Sequence, residues 1–154
     1  MKKRLLSIIF AFCLIIPISI VLCSCDLSHK HYCNQYGYCG NCGTDTCVTL
    51  NKNQTTNKYE GSKTIGRVED DVFFRFTASG ENGIKIKVSS PDASSMTFKT
   101  INFYSESSAL ITSVYEKTEL TWNNTLTAGE TYYVRINVES AIGKVVITAE
   151  ELNV

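Results

Sequence analysis

Ile84-Lys85-Ile86-Lys87-Val88 alternates without a fault, with three aliphatic side chains and two lysines between them. Successive side chains of an extended chain point to opposite faces, so this stretch is a strand with one face in an apolar core and the other in water. The same texture spreads outward from it. Upstream, Val72-Phe73-Phe74-Arg75-Phe76 puts Val72, Phe74 and Phe76 on one face and Phe73 and Arg75 on the other. Downstream, Tyr132-Tyr133-Val134-Arg135-Ile136-Asn137-Val138 places Tyr132, Val134, Ile136 and Val138 inside. Ser79-Gly80-Glu81-Asn82-Gly83 and Leu126-Thr127-Ala128-Gly129-Glu130 have the composition of turns.

Weaker alternations complete the set. Lys63 to Val68 is a first strand, Ala109 to Tyr115 follows a Ser-rich turn, Leu120 with Trp122 makes a short strand, and Lys144 to Ala149 closes the sheet. From Met96 to Tyr104 the parity breaks: Met96 and Phe98 share one face, Ile101 and Phe103 the opposite one. A bulge near Lys99-Thr100 would return both pairs to the core. No stretch carries an apolar period of 3.6 over helical length. Eight strands in about ninety-five residues predict an all-β domain, an antiparallel two-sheet jelly-roll-like sandwich over residues 59–154.

The start of the chain has a different grammar. Lys2-Lys3-Arg4 is followed by an apolar run from Leu5 to Leu22 and then by Cys23-Ser24-Cys25-Asp26. A basic head before an apolar core is an export signal. Leu22-Cys23-Ser24-Cys25 resembles the lipobox of bacterial lipoproteins, with Cys23 where a small residue such as Ala or Ser is commoner. The resemblance implies a signal peptide over 1–24, cleavage before Cys25, and two or three acyl chains there, palmitate among them, tying the mature protein to the outer face of the bacterial cell membrane. Multiple chains are what make such retention stable. An uncleaved anchor and an ordinary cleaved secretory signal are the alternatives.

Fifteen basic residues balance fifteen acidic ones in the 154-residue chain. Loss of Lys2, Lys3 and Arg4 leaves twelve against fifteen, a net −3 with no basic cluster, so nucleic acid is not an expected partner. Between the signal and the sandwich, residues 25–58 are a Cys-rich tether, poor in aliphatic residues and unable to bury a core of its own. Cys33, Cys39, Cys42 and Cys47 follow a C-x5-C-x2-C-x4-C spacing. In an exported chain such a cluster means disulfides, with three connectivities open. A zinc site is the other reading, in which Cys39-Gly40-Asn41-Cys42-Gly43 resembles a zinc knuckle and His29 and His31 are further candidate ligands.

Two family resemblances bear on binding. Cys33-Asn34-Gln35-Tyr36-Gly37-Tyr38-Cys39-Gly40 resembles the core of hevein-type chitin-binding modules. This implies Tyr36 and Tyr38 as platforms stacking on sugar rings and Asn34 as a polar contact; aromatic faces suit the apolar face of a sugar. The order Asp70-Asp71-Val72-Phe73-Phe74-Arg75-Phe76-Thr77, Ile101-Asn102-Phe103-Tyr104 and Leu126 to Ile136 resembles the pre-peptidase C-terminal domain, a small β-sandwich appended to secreted bacterial enzymes. Some relatives bind collagen or polysaccharide, often with calcium. Glu69, Asp70 and Asp71 are adjacent acids before a strand and give no complete calcium set, so no metal or other cofactor is expected.

Hydrolytic chemistry needs a nucleophile, a base and an oxyanion site in one cleft, and no motif here supplies them, so an enzyme is not expected. Two expectations remain. In one, the sandwich is a non-catalytic binding module for a polysaccharide or an extracellular protein, with outward Tyr133, Tyr115, Tyr104 and Phe73 as contacts. In the other, the chain is a structural or accessory envelope protein that docks to another envelope component.

Overall fold

A computed structural model describes residues 33–40, 43–66, 71–91, 96–107, 110–139 and 142–152. Among the described residues there are twelve strands: β1 Tyr38–Cys39, β2 Thr44–Asp45, β3 Val48–Thr49, β4 Asn51–Asn53, β5 Lys58–Ile65, β6 Asp71–Thr77, β7 Gly83–Ser89, β8 Thr97–Ser105, β9 Leu110–Tyr115, β10 Glu119–Trp122, β11 Thr131–Glu139 and β12 Gly143–Leu152. Two five-stranded sheets, ordered β10-β7-β12-β5-β4 and β3-β6-β11-β8-β9, face each other, and β1-β2 forms a separate ribbon. The strands β5 to β12 correspond to the eight expected. The other four lie in the Cys-rich segment, whose lack of alternating aliphatics hid them.

The inward phase is the one the alternation dictates. Ile84, Ile86 and Val88 from one sheet meet Val72, Phe74, Phe76, Val134, Ile136 and Val138 from the other, all buried. Phe76, Phe103 and Tyr132 stack at the centre with ring centroids 5.4–6.3 Å apart. The parity conflict in β8 is resolved by a bulge: Asn137 pairs with Thr100 and Val138 with Phe98, so Lys99 is skipped. Phe98, Ile101 and Phe103 are consequently all buried.

The sandwich also reaches back beyond residue 59. Val48 and Thr49 add a parallel strand to the edge of β6, and Leu50 N–H donates to the Arg75 carbonyl at 2.7 Å. Leu50 then enters the core over Gly61, where a Cβ would lie 2.5 Å from the leucine's Cδ2. A glycine in β5 is therefore the seat for a leucine supplied from the Cys-rich segment.

Strand phase can be tested by two neighbouring substitutions in β7. Ile86→Asp buries an unpaired carboxylate and costs about 4 kcal/mol or more. Lys85→Asp replaces the lysine that pairs with Glu119 at 2.7 Å on the surface and costs about 1 kcal/mol or less. Similar urea midpoints for the two variants would overturn this assignment of faces.

Candidate functional site

The outer faces of the two sheets differ in chemistry. Along β7, β10, β12 and β5 the outward positions form a ladder of charges: Lys85 and Lys87 with Glu119, and Lys58 with Glu150. On β6, β11 and β8 the outward positions carry aromatic rings, amides and two arginines. Tyr133 stands between Arg75 and Tyr104, Arg135 between Phe73 and Asn102, and Asn137 between Asp71 and Thr100. One strand further, Thr100 faces Tyr115 and Asn102 faces Ser113. Directly opposed side chains on one face have Cβ atoms about 5 Å apart, so these residues form a continuous surface.

Both guanidiniums are spoken for. Arg135 donates from Nε and an Nη to the two oxygens of Asp71 at 3.1 and 2.8 Å. Asp71 Oδ1 also accepts from the Asn137 amide at 3.1 Å. The hydrogen bonds to this carboxylate, with a smaller contribution from the neighbouring Tyr104, raise the Arg135 pKa against the opposing effect of partial burial. The guanidinium carbon lies 5.9 Å from the Phe73 ring centroid. Arg75 pairs with Asp45 at 2.9 Å and donates to the Thr49 hydroxyl at 3.0 Å. Among the described residues this face offers hydroxyls, amides and rings, with each arginine's charge matched by an aspartate and Lys99 paired with Glu139 at 2.8 Å.

The Cys-rich segment takes part in the same face. Asn34 N–H donates to the Tyr38 carbonyl and Gly37 N–H to the Asn34 carbonyl, closing a hairpin. Asn34 Oδ1 accepts the N–H groups of Tyr36 and Tyr38, both at 3.0 Å. That oxygen thus shapes the loop. Gly37 has φ +87°, and a Cβ there would sit 2.8 Å from Phe73. Phe73, expected to be outward and available, is only 3 % exposed. Tyr36 lies against Tyr133, centroids 4.7 Å apart at 54°. Burial, ahead of the nearby Glu106 charge, raises the Tyr133 pKa. Tyr36 is therefore a buttress as well as a surface ring, whereas Tyr38 is 49 % and Tyr115 69 % exposed.

Cys39 is buried, and Cys33 and Cys47 are partly so. Burial pushes the Cys47 thiol up to about 12, outweighing the attraction of Arg75. Among the described residues no group of three or more His, Cys, Asp or Glu side chains could hold a metal ion. Cys25, His29, His31, Cys42, Glu69 and Asp70 lie outside the described residues.

A second polar cluster, invisible in the sequence, closes one end of the sandwich. Glu151 is only 6 % exposed in its side chain and pairs with Lys52 at 3.3 Å. It accepts from the Ser79 N–H and hydroxyl, both at 2.8 Å, and its Oε1 lies 2.9 Å from the Tyr59 hydroxyl. Lys52 donates to the Ser79 hydroxyl, the reverse of the direction that would activate a serine nucleophile. Burial by itself would raise the Glu151 pKa; the bonds from Ser79, Tyr59 and Lys52 outweigh it and hold the carboxyl below its usual range. The cluster is a clasp between β4, β12 and the turn after β6.

No protein-family model matches the chain, and no curated protein matches it in sequence. Among solved structures it is similar to PliG of Aeromonas hydrophila, a periplasmic inhibitor of g-type lysozyme. The TM-score is 0.51 at 10 % identity, over 70 % of this chain and 96 % of that one. Looser likenesses include the surface-associated copper-binding protein CorA of Methylomicrobium album BG8, at TM-score 0.48 and 8 % identity over 69 % and 98 %. The pre-peptidase C-terminal domain of a Bacillus anthracis collagenase gives TM-score 0.43 and 16 % identity over 68 % and 93 %. At such identities the likeness is one of fold. The all-β two-sheet sandwich that the strand pattern predicts is the fold observed.

Two variants check this site. Gly37→Ala places a methyl group in the Phe73 ring at a left-handed backbone position, a cost of about 1–3 kcal/mol. Amide exchange over residues 33–47 should quicken while β7 and β11 stay protected; unchanged exchange in 33–47 would mean the hairpin is not seated on Phe73. For Glu151 the folded pKa lies below the ordinary 4.5, so its stabilising contribution is complete above that value and is lost as pH falls through the folded pKa. Urea unfolding from pH 6 to pH 2 should show a drop in stability that is shallower in Glu151→Gln; equal slopes would remove Glu151 from the acid response.

Proposed function

We propose that the chain is an exported, lipid-anchored bacterial surface protein whose sandwich is a non-catalytic binding module for a neutral polysaccharide. The observation that carries the reading is the asymmetry between the sheets. Both outer faces carry ion pairs, but the β6-β11-β8-β9 face also gathers Tyr133, Tyr104 and Tyr115 with Asn102, Asn137, Thr100 and Ser113. Sugars are bound by rings that cover their apolar faces and by amides and hydroxyls that exchange hydrogen bonds with theirs. With Arg135 engaged by Asp71 and Arg75 by Asp45, the face has, among the described residues, no unmatched arginine to attract an anionic polymer. The fold by itself selects no ligand: a similar sandwich serves a lysozyme inhibitor in PliG.

Anchoring rests on the basic head, the apolar run and Cys25 as the acylated mature N-terminus. Disulfides among Cys33, Cys39, Cys42 and Cys47 fit the oxidising space this implies. A second reading, docking to another envelope component, is favoured by β9, which ends its sheet with Leu110 and Tyr115 exposed.

A glycan array probed with the exported protein tests the binding face. Tyr104→Ala and Tyr115→Ala should each weaken binding to neutral glycans about threefold to tenfold, and Lys87→Ala on the opposite face should leave it unchanged. Glycan binding that ignores Tyr104→Ala and Tyr115→Ala removes the sugar reading, and capture of another envelope component that is lost in Leu110→Asp supports the docking role instead. Palmitate labelling tests the anchor: label retained in Cys25→Ser removes it.

A further inference from the structure

We propose that Cys33 and Cys39 form a disulfide that staples the hairpin carrying Tyr36, Gly37 and Tyr38. The inference rests on the exported location proposed above and adds a specific pairing to it. The two backbones oppose each other as an antiparallel bridge. Asn34 N–H donates to the Tyr38 carbonyl at 3.0 Å. That bond joins the residue after Cys33 to the residue before Cys39, which makes the cysteines a non-hydrogen-bonded pair. At such positions Cα atoms approach to about 4.5 Å and side chains are nearest to one another, within the roughly 4.4–6.8 Å that a disulfide spans. Cys33 Sγ now rests 3.5 Å from the Thr46 hydroxyl, and rotation about its χ1 turns it across the ladder to Cys39.

The geometry disfavours Cys47 as partner of either. On its other side Cys39 faces Thr44, three residues short of Cys47, an offset of about 10 Å at roughly 3.3 Å per residue. The Thr46 hydroxyl donates to the Gly37 carbonyl at 2.7 Å, and the Cβ of Cys47 packs beside Gly37.

The oxidation is a thiol–disulfide exchange with an exported dithiol–disulfide oxidant. Cys33, the more accessible sulfur, attacks the oxidant's disulfide as a thiolate and forms a mixed disulfide. Cys39 then displaces the oxidant's sulfur. The new S–S bond replaces the one broken, and both electrons and both protons end on the oxidant's dithiol. The product fixes the hairpin that seats Gly37 on Phe73.

The test is thiol mapping on full-length protein, denatured and alkylated with and without reductant. In Cys33→Ser the freed thiol should appear at Cys39, and in Cys39→Ser at Cys33; label at Cys42 or Cys47 instead overturns the pairing. In the Cys42→Ser/Cys47→Ser double variant, Cys33 and Cys39 should resist alkylation until reduced. If they are alkylated as isolated but close on incubation with oxidised glutathione, the pairing stands and the export reading fails. If they stay open with oxidised glutathione present, or if wild type holds zinc on four titratable thiols, the pairing fails.

Discussion

Phe73 is an aromatic side chain on the outer side of a sheet, and it is covered. Its strand, β6, is buried on both faces: Val72, Phe74 and Phe76 fill the core while Phe73 lies under the Gly37 hairpin. Fully covering a phenylalanine is worth roughly 1.5–3 kcal/mol, enough to seat a short segment that has little apolar surface of its own. The cover has to approach closely, so it is a glycine in the left-handed region. Once the glycine is placed, Tyr36 falls on Tyr133 and Asp45 reaches Arg75. Tyr36, Gly37 and Asp45 of the Cys-rich segment are thereby built into that outer face.

The charges on that face act mainly by orientation. A half-exposed pair such as Arg75–Asp45 contributes little stability. The two-point contact of Arg135 with Asp71, under the Phe73 ring, fixes the guanidinium in place beside Tyr104 and Asn102. Matching each arginine on the spot removes an electrostatic preference and leaves rings, amides and hydroxyls as the distinguishing chemistry. The opposite sheet keeps its charges on alternating, solvated positions. At the end of the sandwich, Glu151 shows the other solution to a carboxylate away from water, with Ser79, Tyr59 and Lys52 gathered around it.

Much of the architecture was legible because a strand with one face in a core repeats every two residues. Ile84 to Val88 and Tyr132 to Val138 announce their inward positions directly. The broken parity between Phe98 and Ile101 betrays a bulge at Lys99, since aliphatic and aromatic residues on the wrong face would otherwise be in water. The candidate face was partly legible: Tyr133, Tyr104 and Tyr115 are outward by parity. Their company was not, because Tyr36 meets Tyr133 and Gly37 meets Phe73 across long stretches of chain. Asn34, suggestive as a ligand contact, spends its carbonyl on two backbone amides.

By itself the sequence determined the class of fold, the phase of its strands, and the need of residues 25–58 for something other than their own core. Those follow from local periodicity and composition, which fix how much apolar surface each segment has to bury. Only the tertiary structure decided that the sandwich's Phe73 supplies what the hairpin lacks, and that Lys52, Ser79 and Glu151 meet at one end. It also left Tyr115 bare while covering Phe73. Both are outward aromatics on the same sheet, and what separates them is which other part of the chain lands on top, a long-range contact that no local pattern encodes.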